Sequence, residues 1–153
     1  MNVLFNLFFF VLAFVLMEGM AWFSHKFIMH GPGWFLHADH HVPRGGFFQR
    51  NDAFFLIFAI PGFLLIAGGM AYGVNPAAAA GFGITAYGLA YFLVHDVFIH
   101  QRFKWFRNTQ NPYLLAIRRA HKAHHKHTGK EDGECFGMLV VPLRYFREIK
   151  RNK

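Results

Sequence analysis

The sequence predicts an all-α integral membrane protein, a bundle of three to four transmembrane helices carrying a histidine-rich helical cap on one side of the bilayer. Three observations predict it. More than half of the 153 residues are hydrophobic and Phe alone occurs 21 times, which is outside the ordinary soluble range. The apolar residues are gathered into long runs of about the length a hydrocarbon core requires. The histidines lie between and after those runs.

The first run, residues 3–23, reads "VLFNLFFFVLAFVLMEGMAWF" and contains one ionisable side chain, Glu18. It lacks the basic flank of a secretory signal and is too long for one, so it is expected to stay in the mature protein. Residues 53–72 form a second span, with Pro61 and Gly62 expected to kink it. "GVNP" makes the next turn, in which Asn75 can cap and Pro76 can begin a third span over 77–94. The small residues of that span permit close helix approach or leave room for a ligand. No fourth span stands out: "WFRNTQNPYLLAIRRAH" is too polar, leaving a half-inserted segment around 112–117 as the alternative. From about residue 144 the chain reads as a solvated tail, and the whole is one domain.

The formal charge is +8, and the position of the 16 basic residues decides what it means. None occurs from Met1 to His25 or from Asn51 to Gln101. Lys26, Arg44 and Arg50 fill the first gap, and the rest follow Arg102. This is the positive-inside pattern, with the histidine-bearing segments cytoplasmic, in a bacterial inner membrane. A nucleic-acid partner would need a basic face on a soluble domain and is not expected.

The histidines repeat a pattern. His25-x4-His30 is followed by His37-x2-His40-His41, and His95-x4-His100 by His121-x2-His124-His125. On a helix each trio spans an arc of roughly 100°, so each can face one centre. The x4 pairs are roughly 140° apart on an ideal helix and converge only if the helix distorts, which "GPG" at 31–33 could bring about for the first. His95 and His100 could instead straddle two metals. His127 falls outside the pattern and reads as a surface residue.

Ten imidazoles gathered without a metal would leave many buried nitrogens unsatisfied. Imidazole suits iron, zinc and copper, and ten donors suit two six-coordinate ions better than one. A closed structural zinc site would leave the count unexplained. Asp39 and Asp96 lie within the histidine motifs and could orient ligands by accepting their second N–H. Glu18 shares a helical face with His25 and could pair with a ligand. Cys135 is the only cysteine, so no iron–sulfur cluster can be built from this chain.

The boxes "HKFIMH", "HADHH", "HDVFIH" and "HKAHH" resemble those of the membrane fatty acid hydroxylase superfamily. "HKFIMHGPGWFLHADHHVPRGGFFQRND", "HDVFIHQRF" and "RRAHKAHHKHTGKEDGECFGML" resemble its bacterial β-carotene hydroxylase branch well beyond the histidines, over roughly residues 18–140. The resemblance implies a non-haem di-iron oxygenase, with the ten boxed histidines as ligands and O2 as co-substrate. The implied reaction is hydroxylation at C3 of each β-ionone ring, taking β-carotene through cryptoxanthin to zeaxanthin. That family is drawn with four membrane segments.

A carotenoid would reach the metals from the bilayer. Trp22, Phe23, Trp34 and Phe35 flank the first boxes and could line a ring pocket, or serve as interfacial anchors. Electrons must come from an external donor such as ferredoxin and its reductase, which Arg118, Arg119, Lys122 and Lys126 could dock. Two other readings remain: a fatty acyl or sterol hydroxylase or desaturase of the same superfamily, and a metal-binding membrane transporter. The latter would place its ligands near the bilayer midplane.

Overall fold

A computed structural model describes residues 2–42, 45–131 and 133–151. Arg44, part of the basic distribution above, and residues 152–153 of the expected tail lie outside the described residues. Six α-helices follow one another: α1 (Val3–Phe23), α2 (Trp34–His41), α3 (Ala53–Met70), α4 (Pro76–Phe92), α5 (Pro112–His124) and α6 (Leu143–Arg151). Two π-helical segments, Ser24–Met29 and Leu93–Ile99, continue α1 and α4 without a break, and a short 3₁₀ turn, Arg50–Asp52, leads into α3.

Three helical runs are long and apolar enough to cross a membrane, Val3–Met29, Arg50–Met70 and Pro76–Ile99. The shortest has 21 residues, about 31 Å at 1.5 Å per residue, which matches a hydrocarbon core. The protein is therefore a membrane protein with three such spans among its described residues. A fourth is not found, because α5 has only 13 residues and carries His121 and His124 on its buried side.

The ends of the spans differ from expectation. The second stops at Met70 rather than residue 72, because Gly73 adopts φ +78 and closes a turn. α3 runs unbroken through Pro61. The third span does not stop at 94, since its π-helical extension carries His95 inside the helix. The Asn75 side chain caps α4 by accepting from the backbone N–H groups of Ala77 and Ala78, with Pro76 in the first turn, as the "GVNP" turn predicts.

Packing is organised by α4, which lies between α1 and α3 and touches both. Glycines allow this approach. A Cβ at Gly83 would lie 2.3 Å from the Phe10 carbonyl oxygen of α1, and one at Gly81 would lie 2.7 Å from the Gly62 carbonyl of α3. Neither backbone could stay where it is. At Gly88, one turn further along α4, a Cβ would meet nothing within 4 Å. The small residues of this span thus serve packing at one end and leave room at the other.

The expectation of a solvated tail is corrected. α6 packs against α5, burying Tyr145 on Ala116 and Ala120, with Phe146 and Ile149 alongside. Arg119 pairs with Glu148 at 3.3 Å across this contact. The charged residues of the segment mask an amphipathic helix.

These contacts predict opposite outcomes at two glycines. Gly83→Val should lower the apparent melting temperature in detergent micelles, by the equivalent of about 1–3 kcal/mol of overpacking. Gly88→Ala should leave it unchanged or slightly raised, because only helix propensity changes. Equal behaviour of the two variants would contradict this packing.

Candidate metal centre

The x4 histidine pairs are brought together by the π-helical segments. On an α-helix, residues five apart diverge; where the backbone bonds from i to i+5 instead, residue i+5 stacks over residue i. The His30 N–H donates to the His25 carbonyl at 3.0 Å, and the His100 N–H to the His95 carbonyl at 2.9 Å. Their ring centroids then lie 5.1 and 4.5 Å apart. The distortion lies upstream of "GPG", within the helix end itself.

The ten histidines form two adjacent groups. His25, His30, His37, His41 and His124 make the first, and His40, His95, His100 and His121 the second, the donor atoms in each lying within 4.8 Å of one another. His125 joins the second through its Nε2, 2.9 Å from that of His121. The expectation that each trio faces one centre is corrected: the middle histidine of each trio crosses to the other group. His40 leaves α2's own group for that of His95, and His124 leaves α5's for that of His25. His95 and His100 share one group rather than straddling two.

Orientation comes from outside each ring. In the first group Nδ1–H of His25 donates to the Phe136 carbonyl at 2.9 Å, that of His30 to Thr128 at 2.8 Å and that of His124 to Glu134 at 3.0 Å. His37 donates to Asn51 Oδ1 at 2.6 Å. In the second, His40 donates to Gln49 Oε1 at 3.1 Å and His95 to Asp96 Oδ2 at 3.1 Å. With Nδ1 protonated, Nε2 carries a lone pair, and these lone pairs face each other: 3.1 Å for His25 and His37, 3.2 Å for His30 and His124, 3.0 Å for His40 and His95. Bare lone pairs at such distances repel, and a cation between them removes the repulsion. The donor set therefore fits a metal ion in each group.

Proton affinity agrees. Burial lowers His37 to about 4, against the raising effect of its bond to Asn51. Burial, then the nearby His125, lowers His100 to about 3. Burial also lowers His125 to about 4. These imidazoles are neutral at pH 7, the form that binds metal.

Other predicted residues fall as follows. Asp96 meets His95 and also pairs with Arg102 at 3.0 Å, while Arg102 grips Asp52 at 2.7 Å. The Asp39 carboxylate accepts from the Arg50 backbone N–H at 2.7 Å, rather than from a histidine. Glu18 does not pair with a ligand histidine; it accepts from Tyr87 and from the backbone of 138–140. Trp34 packs on the rings of His30, His37 and His41, whereas Trp22, Phe23 and Phe35 are exposed. His127 is exposed and outside both groups. Of the basic set, Lys122 and Lys126 are exposed, while Arg118 lies over the Phe98 ring at 4.0 Å. Asn51, Gln49 and the carbonyls of 128, 134 and 136 were not foreseen.

A cavity of about 660 Å³ ends at the first group, where His25, Met29 and Asn51 line it. Its walls come from α1, α3 and α4, with Phe54, Phe58 and Phe92 prominent, rather than from the aromatic residues beside the first boxes. Phe55, Phe63 and Leu89 line it while more than half exposed, so it opens sideways between the spans. From Asn51 to Ile66 it follows α3 for roughly 22 Å.

Fold and site together define a membrane-embedded, histidine-rich metalloenzyme with an apolar access path. Residues 10–143 match the fatty acid hydroxylase family model, and the chain belongs to that family. It is 44% identical to a β-carotene hydroxylase of Pseudescherichia vulneris, over 86% of this chain and 74% of that protein. It is also 44% identical to one of Pantoea ananas, over 82% of this chain and 71% of the other. A chloroplastic β-carotene 3-hydroxylase of Haematococcus lacustris is 41% identical, over 82% of this chain and 40% of its own length. No solved structure matches.

Removing an orienting acceptor should weaken metal binding without touching a ring nitrogen. Asn51→Ala is expected to lower iron affinity about 10- to 100-fold, read by chelator competition. Unchanged affinity would mean that the Asn51 bond does not orient His37. The metal-stripped protein should also be acid-sensitive. Its folded histidine pKa values lie below the ~6.5 of an unfolded histidine. As pH falls from about 6.5 to 4, the unfolded chain takes up protons that the folded chain refuses, so stability is lost through that window. A melting temperature flat from pH 7 to 4 would contradict this.

Proposed function

We propose that this chain is a di-iron hydroxylase of carotenoid rings, inserting oxygen at C3 of the β-ionone ring. β-Carotene would pass through cryptoxanthin to zeaxanthin by the same step at each end. The observation that carries this reading is the junction of the two imidazole groups with an apolar, laterally open cavity. The 44% identity to bacterial β-carotene hydroxylases supports carotenoid over acyl substrates.

In this reading His25, His30, His37, His41 and His124 hold one iron, and His40, His95, His100, His121 and His125 the other. Bound iron supplies activation of O2 for insertion into an unactivated C–H bond, which no side-chain acid or base can attack. The balance for each turnover is R–H + O2 + 2 electrons + 2 protons, giving R–OH + H2O. The chain's own part is to hold the ring and exclude water. Phe54, Phe58 and Phe92 wall the cavity next to His25, and its sideways opening lets the polyene remain among lipid and helices.

An external donor such as ferredoxin with its reductase would supply the electrons. Lys122, exposed on the helix that carries His121 and His124, and Lys126, exposed in the turn that follows it, offer an acidic partner a landing site. The positive-inside pattern supports a cytoplasmic cap, and the likeness to bacterial hydroxylases supports a bacterial inner membrane for the spans.

Expression in cells that accumulate β-carotene tests the assignment. Cryptoxanthin and zeaxanthin should appear with the intact chain and vanish with His124→Ala, whose iron content should also fall. Hydroxylated acyl lipids with untouched carotene would overturn the substrate. Gly88→Leu places a side chain toward open space in the α4 wall, and should lower turnover about tenfold to a hundredfold while iron content stays normal.

A further inference from the structure

Glu18 lies in the first apolar span, where an ionisable side chain is costly unless fully engaged. It is engaged by one segment and one side chain. The backbone N–H groups of Met138, Leu139 and Val140 donate to its Oε1 at 2.9 Å, Leu139 also reaches Oε2 at 3.0 Å, and the Tyr87 hydroxyl donates to Oε2 at 2.7 Å. Three successive amides aimed at one carboxylate form an anion nest. The fit extends to Gly137, where a Cβ would lie 2.7 Å from Glu18 Oε1.

The held segment is the end of a strap, described over residues 128–131 and 133–140, that orients the first histidine group. Its carbonyls at 128, 134 and 136 accept from His30, His124 and His25. The buried Phe136 ring also packs on all three, at centroid distances of 5.2, 5.1 and 5.5 Å for His30, His124 and His25. In the second group, His121 lines a small pocket with Cys135, Gly137 and Met138, but the three orienting carbonyls accept from the first group. One residue, Gly137, separates Phe136 from the first amide held by Glu18.

We propose that Glu18 is a positioning residue, which clamps the 136–140 strap to the first span and thereby sets the rings of the His25, His30 and His124 group. The inference rests on the reading of the ten histidines as ligands to two irons. Its physical content is that the carboxylate acts at a distance, through backbone amides, on one group and not on the other.

The test uses the full chain in micelles, loaded with iron(II). Two quantities are read: hydrogen exchange at the amides of 138–140, and the time course of iron release to excess chelator. Glu18→Gln should speed exchange at those amides about tenfold or more. It should also make iron release biphasic, one ion leaving about tenfold faster and the other at the wild-type rate. Gly69→Ala, whose Cβ would lie 2.7 Å from that of Ala78 at the α3–α4 turn, away from the Glu18–Tyr87 contact, is the control for general loosening and should shift both ions alike. Gly137→Ala displaces the carboxylate from the strap side and should reproduce Glu18→Gln, so the test survives if one variant fails to fold. Unchanged amide exchange, or parallel acceleration of both ions, would overturn the proposal. Neither readout needs a carotenoid, so a chain that binds iron but makes no hydroxylated carotene would sink only the proposed reaction.

Discussion

The structure depends on one electrostatic constraint: imidazole lone pairs must point at one another inside a buried space. The Nε2 atoms of His25 and His37 approach to 3.1 Å, and those of His40 and His95 to 3.0 Å, while the ring protons of all four are held at Nδ1 by other acceptors. Rings left free would rotate away or take up protons. They are held by fixing the other face, where backbone carbonyls, Asn51, Gln49 and Asp96 accept from Nδ1. The 128–140 strap, the 3₁₀ turn before α3 and the Arg102 bridge exist to supply those acceptors. In the proposed di-iron reading, metal binding and folding of the cap are therefore coupled.

The exchange of His40 and His124 follows from the same constraint. Within each trio's arc of roughly 100°, His40 and His124 lie at one edge and face the other group, while their helix neighbours face their own. Sending the middle residue to the neighbouring group uses that width. Each group then needs both halves of the chain, so α2 and α5 are cross-linked through whatever the groups hold. The cap is thus held by buried imidazoles as well as by the apolar contact of α5 with α6.

Much of this was legible in the sequence, and what was not has a physical reason. The spans, the Asn75 cap and the division of histidines from apolar runs follow from hydropathy and spacing, which are local. The pairing of His25 with His30 was misjudged because α-helical angles were applied to a segment that is not α-helical. The x4 spacing is itself the hydrogen-bond register of a π-helix, so the signal was present and read with the wrong period. The division of the ten histidines between groups depends on tertiary placement of α2 and α5, and no spacing rule contains it. The orienting carbonyls at 128, 134 and 136 are invisible to any motif, since every residue has a carbonyl. Asn51 and Gln49 were within reach, because "QRND" belongs to the stretch that carried the family resemblance. α6 was missed because charge was read without asking whether its apolar residues share a face.

The two groups are not equivalent, and the difference bears on how they meet the cavity. Neutral acceptors, three carbonyls and an amide, orient the first, and that group alone reaches the cavity through His25. The second is oriented in part by Asp96, which shares Arg102 with Asp52. A carboxylate accepting from Nδ1 raises the donor strength of Nε2, so a cation bound by His95 would see a more basic ligand than one bound by His25. One end of the charged network, Asp52, lines the cavity beside Asn51, where its pairing with Arg102 at 2.7 Å offsets its charge. An apolar molecule in the cavity thus meets His25, held by a neutral carbonyl, next to a carboxylate that is already paired, which limits the desolvation cost where hydrocarbon and imidazole must touch.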